Sequence, residues 1–499
     1  MFTKAHLLVL ATLCIPSACP GPKPPPSPAP ELKLTSTNVF PKAWGVTYSA
    51  TLDSKILGGT RKIRLYLPAS YGDTTRKYPV LYFFDGEYYF DEASLAVRQL
   101  EAVGHMPECI VAAIENPARR QDLTPPGMDS STSDGLEPRG EKLLQFITTE
   151  LRPELESKLR AGGPSVLIGH SHGGILCHYA AAKWRKDFPF ILSLDAPVHL
   201  ADNFLANSLI ASEPAKGNLR LISLEVRFGW PDEEWKRLAS TAPSEWKLVR
   251  ERLKGEDHES MVFTGFYEGL KEMFSDYSLS QVRGLRGEEA LAHYDTLEPL
   301  YGFEVIPPQV VLDRAIMSLA ALGKGERARR ALNQLADGYG KPDDYATQLA
   351  EINEAEAAMK GQETVDQLLA LPAPTAEQMK PYLGTWTGSQ WIDIDGSQKN
   401  ELKVTFAVKD GRGVATMENP GAPPEYRISV CKYLRVTKEG IEFGNLNGMF
   451  PPGVVAEVAT LKDGVLSGES IFKGVYFKYP PDMTPPRHLF SLKRAESPR

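Results

Sequence analysis

Val166-Leu167-Ile168-Gly169-His170-Ser171-His172-Gly173-Gly174-Ile175 decides how the rest of this chain is read. An apolar run enters a Gly-x-Ser-x-Gly motif and leaves it toward the small residues Ala180-Ala181-Ala182, where a helix is expected. The motif by itself arises readily by accident. With a strand before it and a helix after it, it becomes a strand–turn–helix elbow, in which a serine on a strained turn exposes its oxygen. Glycines at 169 and 173 suit that turn, because a sharp reversal leaves little room for Cβ atoms on either side. Ser171 is therefore the expected nucleophile.

A serine hydroxyl is a weak nucleophile until a base takes its proton, so a histidine is expected later in the chain. His258 lies in Lys254-Gly255-Glu256-Asp257-His258-Glu259-Ser260, after the strand-like Trp246 to Leu253. A helix patterned by Val262, Phe263, Phe266 and Leu270 follows. A loop at the end of a strand is where a base belongs, whereas His293 and His488 fall in appended segments. The α/β-hydrolase order of serine, acid, histidine places the acid between them. Glu225, closely following the strand Leu219 to Ile222, is the expected acid. Asp232, in Gly229-Trp230-Pro231-Asp232, is the alternative and also suits a helix cap. The expected oxyanion donors are the backbone N–H of His172 and an amide of Asp85-Gly86-Glu87, where Gly86 allows close approach. His170, His172 and His178 cluster in sequence, but two of them flank a sharp turn and no carboxylate or cysteine completes a set. Neither a metal nor a cofactor is expected.

Around the elbow, short apolar runs alternate with helical patterns. Tyr78 to Phe84, Cys109 to Ile114, Ser165 to Ile168, Phe190 to Leu194 and Leu219 to Ile222 are strand candidates. Glu141 to Leu159 repeats Leu143, Leu144, Ile147, Leu151 and Leu155 at helical spacing. Such alternation predicts a mostly parallel sheet covered by helices on both faces, the α/β-hydrolase sheet, with antiparallel edge strands from Tyr48 to Leu67. Residues 279–372 turn helical, as two hairpin-like pairs, too few for a free-standing solenoid. From 373 to 499 the pattern is β: Leu402, Val404, Phe406 and Val408 alternate, and Asp410-Gly411 and Asp463-Gly464 offer hairpin turns. A small antiparallel barrel or sandwich is expected there, with Trp386 and Trp391 as core residues. The expected organisation is an export signal at 1–19, a Pro-rich linker at 20–44, a hydrolase domain at 45–278, then the helical and β segments.

Several ordered stretches between 45 and 278 resemble the putative esterase family of α/β hydrolases, which includes siderophore esterases, feruloyl esterases and S-formylglutathione hydrolase. They are Tyr78-Pro79-Val80-Leu81-Tyr82 with Asp85-Gly86, then Ile114-Glu115-Asn116 with Arg119 and Asp122-Leu123-Thr124-Pro125. Gly169 to Gly174 and Gly255 to His258 complete the set. The resemblance implies Ser171 as nucleophile, His258 as base and the Asp85-Gly86-Glu87 loop at the oxyanion hole. It also implies Asp85, Glu87 and Arg119 as substrate contacts, Arg119 being equally suited to a loop-bracing ion pair. His172 replaces the usual apolar residue after the serine. Asp195-Ala196-Pro197-Val198-His199 replaces the usual Ser-Pro-x-Leu-Trp.

The 499 residues carry a net charge of -7, with 42% hydrophobic and 24% charged residues, which gives no electrostatic footprint for nucleic acid. Cys14, Cys19, Cys109, Cys177 and Cys431 form neither a disulfide framework nor a CxxC site. Lys4, the apolar Leu7 to Leu13 and Ser17-Ala18-Cys19 read as a bacterial export signal. Small residues before a cysteine resemble a lipoprotein signal, although Pro16 departs from it; membrane attachment would then run through a lipid on Cys19. The expected protein is exported: periplasmic, anchored at the outer membrane, or secreted. Its expected chemistry is hydrolysis of a small-molecule carboxylic ester through an acyl-enzyme. The rivals are an acyltransferase using the same groups and a non-catalytic exported binding protein.

Overall fold

The computed structural model describes residues 31–39, 45–212, 218–285, 287–392, 400–418, 420, 427–446, 453–476, 478 and 487–495. The expected export signal, Cys19 and the proline tract at 20–30 lie outside the described residues. The end of the expected linker is not a linker: Leu32–Val39 forms strand β1. Leu32 turns into the core, and its N–H donates to Glu154 Oε2 at 2.8 Å.

Eight further strands complete the first sheet. They are β2 (Val46–Ser54), β3 (Gly59–Leu67), β4 (Tyr78–Phe84), β5 (Ile110–Ile114), β6 (Ala161–His170), β7 (Phe190–Leu194), β8 (Arg220–Glu225) and β9 (Lys247–Arg252). Their order is β1-β2-β3-β5-β4-β6-β7-β8-β9, with β1 to β3 antiparallel and β5 through β9 parallel. The central strands β4 to β7 are buried along nearly their whole length because both faces are covered. On one face pack Leu143, Leu144, Ile147 and Leu155, together with the helix His172–Lys183. On the other lie the helices Gly86–Ala102 and Met261–Met273. This is the α/β-hydrolase architecture, and the C-terminal ends of β6, β7, β8 and β9 share one edge.

The helices Gly287–Asp295, Gln309–Ala321, Gly325–Tyr339 and Tyr345–Met359 follow. They are welded to the opposite edge. Tyr294, Leu297, Tyr301 and Val311 belong to the same apolar cluster as the hydrolase strands. Tyr301 packs on Phe190, the first residue of β7, and Arg76, just before β4, lies over the rings of Tyr78 and Tyr339. Tyr294 donates its hydroxyl to the Tyr277 carbonyl at 3.1 Å, with the two rings edge to face.

The C-terminal segment is a second nine-stranded sheet, entirely antiparallel, over β10 (Gly384–Ile392), β11 (Asn400–Lys409), β12 (Arg412–Glu418), β13 (Ile428–Val430), β14 (Tyr433–Val436), β15 (Ile441–Leu446), β16 (Val454–Lys462), β17 (Val465–Lys473) and β18 (His488–Arg494). Phe406 on β11 and Phe443 on β15 stand five strands apart in the sheet order, which is roughly 24 Å on a flat sheet. Their rings are 5.1 Å apart, so the sheet curls into a half-barrel around them. The turns at Asp410-Gly411 and Asp463-Gly464 have positive φ at both residues, as two-residue hairpins require. Trp386 is buried in this core and donates Nε1–H to the Tyr382 carbonyl at 2.7 Å.

Two consequences are measurable. Tyr294→Ala removes a buried ring at the weld between the first two segments. It is expected to lower stability by about 3–4 kcal/mol, read from the urea midpoint at unchanged slope. His178, in the helix after the elbow, is wholly buried against Trp230, and neither ring nitrogen meets a hydrogen-bonding atom of the described residues. Burial pushes its pKa down to about 3. The folded value lies below the unfolded one, so this contribution to stability is present above pH ~6.5 and falls away with acid. Between pH 7 and 5 the loss from this residue is about 2 kcal/mol, and His178→Phe should flatten the pH dependence by that amount.

Candidate active site

β6 ends at His170, and the next residue, Ser171, has φ 54° and ψ −113° before the helix His172–Lys183 begins. A non-glycine residue there is strained, and the turn is held by the Ser171 N–H donating to the Leu194 carbonyl at 2.8 Å. Two glycines make the turn possible, but they are not the expected pair. A Cβ on Gly169 would lie 2.3 Å from the Gly173 backbone, and one on Gly174 would lie 2.5 Å from the Ala196 Cβ. A Cβ on Gly173 would meet nothing nearer than the Phe84 side chain at 3.5 Å, an ordinary contact.

Three side chains meet at the shared edge of the sheet. His258 Nε2 is 3.0 Å from Ser171 Oγ, and His258 Nδ1 is 2.5 Å from Asp195 Oδ2. Asp195 follows β7 directly, at a left-handed φ of 45°, and is fully buried. Its other oxygen, Oδ1, accepts the N–H groups of Val226, Arg227 and Phe228 at 2.7, 2.8 and 2.8 Å. A buried carboxylate needs such partners, since an unpaired charge in the interior is very costly.

This corrects the expectation for the acid. Glu225 does not reach His258. Its carboxylate accepts the Trp230 N–H at 2.8 Å and the Arg250 Nε–H at 3.0 and 2.9 Å. Burial still raises its pKa. Asp232 is exposed and paired with Arg250, at the first position of the helix Asp232–Thr241. The reason is register. β7 lies beside β6, so the residue after β7 stands next to the elbow, whereas β8 is one strand further out. The sequence signal was an aspartate directly after the buried run Phe190 to Leu194, in a stretch noted only as a departure from the resembled pattern.

The other expected residues fall into two groups. His172 and Gly86 are the first residues of their helices, and such N–H groups have no acceptor within the helix. The two helix starts lie close together: a Cβ on Gly173 would stand 3.8 Å from Asp85 Oδ2. A Cβ on Gly86 would come within 2.8 Å of the Ala113 backbone, so this position tolerates only glycine. Asp85, in contrast, is not open to a ligand. It is fully buried, and its two oxygens take Arg119 Nε and Nη2 at 2.9 and 2.7 Å, while the Glu87 carboxylate accepts the Asn116 N–H. These carboxylates brace the loop because burying them unpaired would be unfavourable. Arg119 braces Asp85 and keeps a third of its side chain exposed.

The neighbouring histidines are neutral supports. His170 Nε2 is 2.8 Å from the His258 carbonyl, and Nδ1 is 3.3 Å from Tyr89 Oη. His172 Nε2 lies 2.9 Å from Thr124 Oγ1. Burial pushes both imidazoles down to about 4. Asp122, two residues before Thr124, is buried between Arg61 and Arg139. Among the described residues no cluster of three histidine, cysteine, aspartate or glutamate side chains could hold a metal ion.

Comparison with known proteins bears on the same region. A curated relative, the uncharacterized protein YbbA of Bacillus subtilis (strain 168), is 29% identical over 142 residues, which is 27% of this chain and 56% of the relative. The chain thus spans little more than half the length of that relative. Solved structures that align include an IroE-like serine hydrolase from Shewanella oneidensis, with TM-score 0.47, 24% identity, 62% of this chain and 99% of the other. The siderophore hydrolase EstA from Aspergillus nidulans aligns with TM-score 0.39 and 20% identity, over 48% of this chain and 98% of the other. A ferulic acid esterase aligns with TM-score 0.36 and 16% identity, over 50% and 99%. The family model described as putative esterase matches residues 54–248, which hold Ser171 and Asp195 and stop short of His258. Over that stretch the chain is similar to the family described as putative esterase.

Proposed function

We propose that the protein hydrolyses a small-molecule carboxylic ester through an acyl-enzyme on Ser171. The observation that carries this reading is the unbroken chain from Ser171 Oγ through His258 to Asp195. Ser171 Oγ attacks the ester carbonyl carbon while His258 Nε2 takes its proton, and Asp195 holds Nδ1–H and stabilises the imidazolium. The tetrahedral oxyanion is held by the backbone N–H groups of His172 and Gly86, whose helix starts favour negative charge. Collapse breaks the ester C–O bond, and Nε2–H returns the proton to the leaving alcohol. A water then gives its proton to Nε2 and attacks the acyl carbon; collapse of this second tetrahedral intermediate breaks the C–Oγ bond, Nε2–H returns the proton to Ser171 Oγ, and the carboxylic acid leaves. The exposed part of the Arg119 guanidinium is the candidate contact for an oxygen-rich substrate. Export, with a lipid on Cys19 as membrane anchor, belongs to the same reading and rests on the sequence of residues 1–19.

Short-chain p-nitrophenyl esters test the assignment. Ser171→Ala should lower kcat by about a hundredfold or more, with loss of fluorophosphonate labelling. Asp195→Asn should lower it by about a thousandfold while leaving the fold intact, because the wrong imidazole tautomer is then favoured. Equal turnover by wild type and Ser171→Ala would sink the reading, and full activity in Asp195→Asn would remove Asp195 from it.

A further inference from the structure

Glu225 is buried, paired with Arg250 and close to the site, yet it touches none of the reacting groups. What it does touch is the loop Val226–Trp230, and that loop meets the site twice. Its amides at 226, 227 and 228 converge on Asp195 Oδ1, and the Phe228 ring stands edge-on to the His258 ring at 5.3 Å. Three consecutive N–H groups can aim at one oxygen only if the backbone is tightly curled, and a free loop would not hold that curl.

The curl is closed by a bracket at its two ends. The Glu225 carboxylate takes the Trp230 N–H, and Arg250 on β9 takes the Trp230 carbonyl with Nη2 at 2.7 Å. Arg250 Nε in turn holds the Glu225 carboxylate. Between them, Gly229 has φ 155°, and a Cβ there would fall 2.1 Å from the Glu225 carboxyl carbon. The loop is thus folded directly over the carboxylate. The Leu253 N–H donates to the Glu225 carbonyl at 2.9 Å, which ties the same residue to the chain that leads into the His258 loop.

We infer that Glu225, clamped by Arg250, is a positioning residue for the reaction: it shapes the amide cradle that fixes Asp195 and, through Asp195, the orientation of His258. The inference rests on Ser171, His258 and Asp195 acting as proposed above. It differs from a general contribution to stability in that its effect should pass through one carboxylate.

A double-mutant cycle on the full chain, with kcat normalised by fluorophosphonate titration of active sites, separates these roles. Glu225→Ala should lower kcat by about 10- to 100-fold with KM changed less than about twofold, since misplaced catalytic groups cost rate more than affinity. In the Asp195→Asn background the same change should cost less than about threefold, because the interaction it supports is already gone. Glu225→Gln keeps an acceptor for Trp230 and guards against a folding failure; it should fall between the two. A second readout needs no turnover: the low-field proton resonance of His258 Nδ1–H should be sharp in the wild type, absent in Asp195→Asn and broadened in Glu225→Ala. Additive losses of kcat, or a resonance unchanged in Glu225→Ala, would overturn the bracket. If the resonance follows the expected pattern while wild type and Ser171→Ala turn over equally, the ester reading has failed and the bracket stands.

Discussion

Everything at the site depends on one residue being held in a conformation it would not choose. Ser171 stands at φ 54° and ψ −113°, a strained pairing for any side chain. It persists because its surroundings leave no alternative. The Leu194 carbonyl takes its N–H, β6 delivers it from below, and a helix buried from His172 to Ala182 begins immediately after it. The energy of the turn is offset by the burial of apolar strands and helices on both sides of the sheet, the dominant favourable contribution in any domain core. The price is paid in residue choice: Gly169 and Gly174 have no space for a methyl group.

The parallel sheet then does the assembling. Adjacent strands that run the same way end along the same edge, so residues far apart in sequence arrive together at their C-terminal ends. Ser171 comes from β6, Asp195 from β7, the amide cradle from β8 and His258 from the chain after β9. Neutral histidines fill the space around them. A protonated His170 beside His258 would oppose the charge that His258 takes up in the proposed reaction, and burial keeps His170 unprotonated down to about pH 4.

Much of this was legible in the sequence, because it lay in local pattern. The apolar runs, the elbow, the edge hairpin and the Asp-Gly turns each carry their own signal over a few residues. The position of His258 after a strand and before an amphipathic helix was equally plain. Two things were not legible, both for reasons of geometry across the sheet. Whether Asp195 or Glu225 faces His258 depends on which strand is the neighbour of β6, and strand order is not written in any single segment. That Asp85 is consumed by Arg119 depends on a pairing between loops that follow different strands. Leu32 to Val39 carries a weak strand signal, because only two leucines alternate in it and a proline-rich tract leads straight into it.

The weld at the lower edge of the sheet has a bearing on how such a chain could be built or rearranged. The ring pairs Tyr277–Tyr294 and Phe190–Tyr301 sit in one apolar cluster that belongs to neither the sheet nor the helices alone. A cut at the apparent boundary near residue 279 would leave greasy rings in water on both fragments. The helical segment is therefore not a cassette that could be shuffled onto another hydrolase by exchange of sequence. Any recipient would need a matching ring surface at the start of its strands, so the two parts are constrained to change together, residue against residue, however independent they look along the chain.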